Sequence, residues 1–263
     1  MMDNLIIKNN VYLLLEKHLP NILHFIDQKD INQFVDRAGK FIKLNDGKKK
    51  PRNFLSFILD LLQKEKKRDP NLKEVEYYNY LLGKMQEIIP NSNEFGNLIR
   101  SVIFNFSTNN FHNFIAEVGA LLELSEKYKF IEYEVNLPNG KQADLLLYDS
   151  DGTELYVDIV TIHFDSMNYV NQEEFEKLIN NKIIDKFQKT TKGIPKERRS
   201  NIYIFPVIQG LTPKILKSNI DYFDTFKEKM KNDQYNSFSP HFFGSIQGTF
   251  FTLFSIQKAK EFL

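Results

Sequence analysis

The chain has 263 residues, with 35 Lys or Arg against 34 Asp or Glu, so its net charge is only +1 and no global field points to nucleic acid. Its 42% hydrophobic and 26% charged residues are those of an ordinary globular protein able to bury a core. It has no cysteine, which excludes disulfides, thiolate catalysis and cysteine-based zinc sites.

The opening, "MMDNLIIKNNVYLLLEKHL", carries charge within its apolar part and has no small-residue cleavage site, which argues against a signal peptide. No apolar run reaches the roughly 18 residues of a membrane span. A cytoplasmic protein with no membrane association is expected.

Residues 1–108 read as an all-helical N-terminal domain. "NLIIKNNVYLLLEKHL", "DINQFVDRAGKFIKL", "RNFLSFILDLLQKEKK" and "KEVEYYNYLLGKMQEII" repeat apolar residues every three or four positions. Asn45-Asp46-Gly47, Asp69-Pro70-Asn71 and Pro90-Asn91 punctuate them. Two basic clusters fall at element ends: Lys48, Lys49, Lys50 and Arg52, then Lys64, Lys66, Lys67 and Arg68. Residues 1–108 hold 17 basic and 13 acidic residues and the remainder 18 and 21, hence +4 against −3. The clusters are therefore expected to add nucleic-acid affinity without taking part in chemistry.

From residue 109 the pattern changes to an α/β domain, 109–263. A helix over about 111–128 leads to strands at about 130–137, 141–149 and 153–163. Asn139-Gly140 and Asp151-Gly152 lie between them and favour tight turns. A helix at 170–190, a strand in "NIYIFPVIQG", a helix at 213–231, a strand in "SIQGTFFTLFSI" and a short final helix follow. This order predicts a mixed sheet flanked by helices.

Charged residues interrupt the inward faces of these elements. Leu155, Val157 and Ile159 share one face of the third strand; Tyr156, Asp158, Val160 and Ile162 share the other. Both faces are apolar, so Asp158 is expected to be buried. Asp144 interrupts the second strand in the same way. An unpaired buried carboxylate is costly, so each Asp needs a lysine, backbone donors or a cation. On the first helix of this domain Glu117 lies at the edge of an apolar stripe made by Phe114, Val118, Leu121 and Leu124. On the helix at 170–190, Lys182 and Lys186 fall among Phe175, Leu178 and Ile179, and so are expected to face the sheet.

Helix with Glu117, then "ADLLLY", a tight turn, "ELYVDIV" and a lysine-bearing helix resembles the PD-(D/E)XK nuclease superfamily, over about 111–210. The resemblance implies a restriction-endonuclease-like mixed-sheet core and a Mg²⁺- or Mn²⁺-dependent endonuclease. It implies Asp144 and Asp158 as metal ligands with Glu117 assisting. The family's lysine stands two residues after the third-strand acid, where this chain has Val160; Lys182 or Lys186 would replace it, Lys182 being preferred. Nucleic acid, DNA before RNA, is the implied substrate, restriction or phage defence the implied context, and a homodimer the arrangement suited to cutting both strands. The alternative is a catalytically inactive nuclease-fold binding or interaction protein, in which the charges form a structural ion-pair network.

Other signals are weaker. No two of the five histidines have i, i+4 ligand spacing, and His163 lies on the opposite strand face from Asp158. No P-loop, Gly-x-Ser-x-Gly or Gly-x-Gly-x-x-Gly occurs. The basic stretch "KGIPKERR", 192–199, is a solvated loop or a phosphate contact.

Overall fold

The computed structural model describes residues 2–44, 53–67, 72–89, 92–106, 110–164, 171–232, 234–246 and 250–262. The basic cluster 48–52 lies outside them, and of the cluster 64–68 only the Lys64 side chain is described. The chain divides into two compact units, Met1–Val118 and Gly119–Leu263. The sequence expectation put the boundary at 108/109, just before the helix in which this division falls.

The first unit is helical: α1 (Met2–His18), α2 (Gln28–Leu44), α3 (Phe54–Lys67), α4 (Lys73–Ile88), α5 (Ser92–Phe104) and the start of α6 (Asn110–Ser125). Helix α5 is absent from the segments that periodicity picked out; Gly96 interrupts its short apolar pattern. Aromatic packing fills this core: Phe57 and Phe111 each meet Phe54, Tyr78 and one another at ring separations of 4.9–6.1 Å, Phe111 meeting Phe54 and Tyr78 edge to face. Asn53 begins α3: its side-chain oxygen accepts the Ser56 N–H at 2.9 Å, while its amide donates to the Phe106 carbonyl at 2.6 Å.

In the second unit, the described residues form one sheet in the order β1 (Lys129–Asn136), β2 (Gln142–Tyr148), β3 (Glu154–His163), β4 (Ile202–Gln209), β5 (His241–Ile246), β6 (Phe250–Ser255). Strands β1, β2 and β3 are an antiparallel meander, β4 runs parallel to β3 and β5 parallel to β4, and β6 returns antiparallel. The two meander turns hold Gly140 at φ 76° and Gly152 at φ 84°, conformations that favour glycine. Helix α7 (Gln172–Thr191) connects β3 to β4; α8 (Pro213–Ser218) and α9 (Ile220–Asn232) follow β4, and α10 (Ile256–Phe262) follows β6. Mixed sheet, flanking helices and a preceding helical region are thus as expected, and helix, meander, helix, parallel strand is the core order.

Two details differ. The expected helix at 213–231 is two helices, because buried Asn219 turns its amide to the Ile215 carbonyl at 2.7 Å and ends α8. The expected single last strand is a hairpin, since "HFFGSI" also pairs in the sheet.

Packing sets which face is which. Phe175, Ile179, Ile183 and Phe187 of α7 lie with Ile162, Ile204 and Ile208 in one core cluster. Ile179 and Ile183 are fully buried, each contributing roughly 1.5–3 kcal/mol. On the other face Phe205 stacks on His241 at 4.6 Å, and α6 arrives through Gly119, where a Cβ would sit 3.1 Å from the Phe243 ring.

Pro206 sits within β4 although it has no N–H to give. Ile204 gives its N–H to the Asn236 carbonyl and accepts the Phe238 N–H, so its polar groups face the segment that leads into β5. Two residues on, Pro206 faces the same way, and the β4–β5 ladder begins only at Val207↔His241. At the end of β4, Gly210 (φ 87°) passes so close to the Phe164 carbonyl oxygen that a Cβ would overlap it.

Candidate active site

Asp158 is 3% exposed. Its register partner Ile204 places it on the α7 face of the sheet. There Lys186 reaches it from α7, Nζ to Oδ1 2.7 Å, and the Thr190 hydroxyl donates to Oδ2. Lys186 and Thr190 are one helical turn apart, so both side chains come off the same stripe of α7. A cation and a hydroxyl on the two oxygens compensate for the loss of water around the carboxylate.

Asp144 is half-buried on β2. The β2–β3 pairing runs to Leu145↔Val157, one residue short of Asp144 on β2 and of Asp158 on β3. Asp144 Oδ2 also accepts the Ile159 N–H at 2.6 Å, taking the place of a ladder bond where the pairing ends.

The C-terminal end of α7 is held by the first meander turn. Asn139 donates its amide to the Thr190 carbonyl at 2.7 Å and the Lys192 carbonyl at 3.0 Å, satisfying acceptors left open at a helix end. At the other end Asn171 caps α7 by accepting the Glu174 N–H at 2.9 Å. Sequence reasoning did not reach Thr190 or Asn139. A buried threonine on the apolar stripe of α7 and an Asn-Gly turn were the available signals.

The expectation that Lys182 faces the sheet is corrected. Lys182 is exposed, and Lys186 is the one that meets Asp158. Helical angle alone put both among apolar residues, but Leu178, which defined that flank, is itself 37% exposed. The flank carrying Leu178 and Lys182 faces solvent, and the buried line of α7 runs through Ile179, Ile183 and Phe187. Glu117 lies half-buried on α6 between buried Ala116 and Val118, in the first unit. Among the described residues no group of three His, Asp or Glu side chains gathers to hold a metal ion.

Two carboxylates with no third still suit Mg²⁺, which keeps several waters and uses one or two carboxylates. Each carboxylate oxygen has two acceptor positions, so Asp158 bound by Lys186 and Thr190 retains one on each oxygen. Asp144, half-exposed at a strand end, gives the more open side.

On the opposite face of the sheet, His241 Nε2 lies 3.4 Å from Glu123 Oε1 and Nδ1 lies 3.0 Å from the Ser239 carbonyl. The His241 contact holds the Glu123 carboxyl below its ordinary pKa, against the opposing effect of burial, and Lys258 adds to the lowering. The phenol of Tyr156, on the Asp158 face, is pushed up to about 12 by its bond to Glu154.

No protein-family model matches the chain, and no curated protein matches it. Among solved structures it is similar to a repair endonuclease from Pyrococcus abyssi at 16% identity and a TM-score of 0.21, over 48% of this chain and 43% of that one. The chain thus spans less than half the length of that enzyme, and a likeness so slight says nothing of its own activity. Among the described residues no helix is long and apolar enough to cross a membrane.

Proposed function

We propose that the second unit is a metal-dependent nuclease that hydrolyses phosphodiester bonds in nucleic acid, with DNA as first substrate. The observation that carries this reading is the Asp158–Lys186 pair at 2.7 Å, which spans from β3 to α7, with Asp144 bonded to the Ile159 N–H next to Asp158. It supplies, from a neighbouring helix, the cation that Val160 cannot.

Asp144 and Asp158 are the residues that would hold a Mg²⁺ or Mn²⁺ ion. Such an ion lowers the pKa of a bound water and offsets charge on the phosphate. Lys186 contributes a fixed positive charge beside the same carboxylate, suited to stabilising charge that builds on the phosphate oxygens. Thr190 holds the Asp158 carboxylate in place, and Asn139 holds the end of α7 that bears Thr190. A homodimer is the proposed form for cutting both strands, and restriction or phage defence the proposed setting.

A second reading has its own observation. Lys186 and Thr190 already occupy both oxygens of Asp158, and Asp144 already bonds a backbone N–H, which is what a structural ion-pair network requires. The two readings part on one experiment. Plasmid, linear DNA and single-stranded RNA are incubated with Mg²⁺, Mn²⁺ or EDTA, while melting temperature is followed with and without each ion. Cleavage that EDTA stops supports the nuclease. No cleavage, together with no ion-induced rise in melting temperature, favours the second reading.

A further inference from the structure

We propose that a cavity beside the end of α7 binds one nucleotide, its phosphate on Lys196 and Arg199 and its base beside Tyr235. This deepens the nuclease reading by giving the site a place for a nucleotide next to the one cleaved, and for that role it rests on that reading.

The cavity lies within the second unit and has a volume of about 430 Å³, within the roughly 300–1,000 Å³ typical of small-ligand sites. Its walls come from the last turns of α7, from the short turn at Lys196–Arg198 and from the segment before β5. Two cations line it, and among the described residues neither forms an ion pair. Arg199 gives its Nε–H to the Ile194 carbonyl at 2.7 Å, which fixes the guanidinium and leaves its terminal nitrogens as donors. Glu197 is also in the wall, so the lining keeps a net charge of +1. That balance suits a phosphate diester or monoester better than a polyanion.

The rest of the lining fits a base. Tyr235 packs edge-on against Phe187 at 5.6 Å and accepts the Gln188 amide at 3.3 Å, so its ring is braced. Every base has a π-face, and a braced aromatic ring accepts bases with little regard to sequence. Asn236 spends its amide hydrogens on the Arg199 and Ser200 carbonyls, leaving its carbonyl oxygen as an acceptor for an exocyclic amine. The adjacent Gln234 holds φ at 63°, a conformation a non-glycine residue adopts at a cost.

The cavity is also placed to serve Asp158. Ile204 is the register partner of Asp158 and exchanges backbone bonds with Asn236 and Phe238 on its other side. Two strand spacings of about 4.8 Å separate the Asp158 backbone from the segment that holds Asn236. A single strand crossing that distance spans a few nucleotides.

The test is calorimetric titration of the full-length chain in EDTA with adenosine 5′-monophosphate, adenosine and inorganic phosphate. The monophosphate is expected to bind at least about tenfold tighter than either of the others, because only it engages both halves of the cavity. Lys196→Gln, an exposed change, should weaken the monophosphate several-fold and leave adenosine unchanged; Arg199→Gln should do more. No binding of the monophosphate, affinity no better than that of inorganic phosphate, or equal affinity in Lys196→Gln overturns the proposal. A protein that cleaves DNA but ignores the monophosphate loses this subsite and keeps the nuclease reading. One that binds the monophosphate as expected but never cleaves loses the nuclease reading and keeps the nucleotide site.

Discussion

On the α7 face of the sheet Asp158 meets a lysine and a hydroxyl, while on the other face Glu123 meets His241. The two arrangements look alike as acid–base pairs bridging a strand and a helix. They differ in how the carboxylate is held. The Asp158 carboxylate is held on both oxygens, by the Lys186 ammonium and by the Thr190 hydroxyl. The Glu123 pair depends on the ionisation of its carboxyl, whose pKa is held low by its partner. One face carries a carboxylate held by a lysine and a hydroxyl, the other a joint between α6 and β5 that acid can loosen.

The largest expected effect breaks the α7-face pair. Lys186→Ala should cut DNA cleavage by about 10²-fold or more, the range for loss of an electrostatic or acid–base group. Breaking a buried pair costs ~3–5 kcal/mol, and since Lys186 is one-third exposed its removal should cost less, roughly 2 kcal/mol by urea denaturation. Parental cleavage in a folded Lys186→Ala protein would remove the lysine from the site. Next comes Asp158→Asn, which should abolish any Mg²⁺-induced rise in melting temperature; for the parent that rise corresponds to ~2.7 kcal/mol at an ion concentration 100 times Kd. A rise that persists unchanged in Asp158→Asn assigns the ion elsewhere.

Thr190→Val keeps shape but deletes the hydroxyl, so it should cost about 1.5–3 kcal/mol, as for hydrogen bonds to charged groups. Thr190→Ser should recover most of this, and equal melting temperatures for the Val and Ser variants would count against the bond. On the opposite face, the folded-state pKa of Glu123 lies below its ordinary value of 4.5. Its contribution to stability is therefore full above about pH 4.5 and is lost as pH falls through the lower folded value. Glu123→Gln should flatten that acid limb in stability measured from pH 6 to pH 3; an unchanged limb would show that other carboxylates set it. The smallest effect belongs to exposed Lys182. Lys182→Ala should leave stability within ~0.5 kcal/mol and cleavage unaltered, and a loss matching that of Lys186→Ala would erase the distinction between the two lysines.

The carboxylates were legible because strand parity is a rigid rule. Alternation alone put Asp158 on a buried face, and the structure leaves it 3% exposed. The meander was legible because Asn-Gly and Asp-Gly mark turns so strongly. Helix α7 was legible as an element, but not in which of its flanks faced water. A twenty-residue helix that carries apolar residues over a wide arc permits more than one docking rotation, and Leu178 misled the choice. Thr190 escaped because a threonine in a helix is neutral as a sequence signal; only its proximity to Asp158 makes it a partner. Strand β5 escaped because "HFFGSI" is short and begins right after Pro240, where the pattern reads as loop.

Pro206 has a mechanical meaning. The sheet is stitched unevenly: β3 and β4 are joined from Tyr156↔Ile202 to His163↔Gln209, whereas the β4–β5 seam runs only from Val207↔His241 to Gln209↔Phe243, with one isolated bridge before it. The missing N–H falls in the gap between that bridge and the seam. Tension applied at the C-terminus, as when a degradation machine pulls a chain from its tail, would open the sheet along this line first. The hairpin of β5 and β6 would peel away with α10, while the strand bearing Asp158 stayed stitched on both sides.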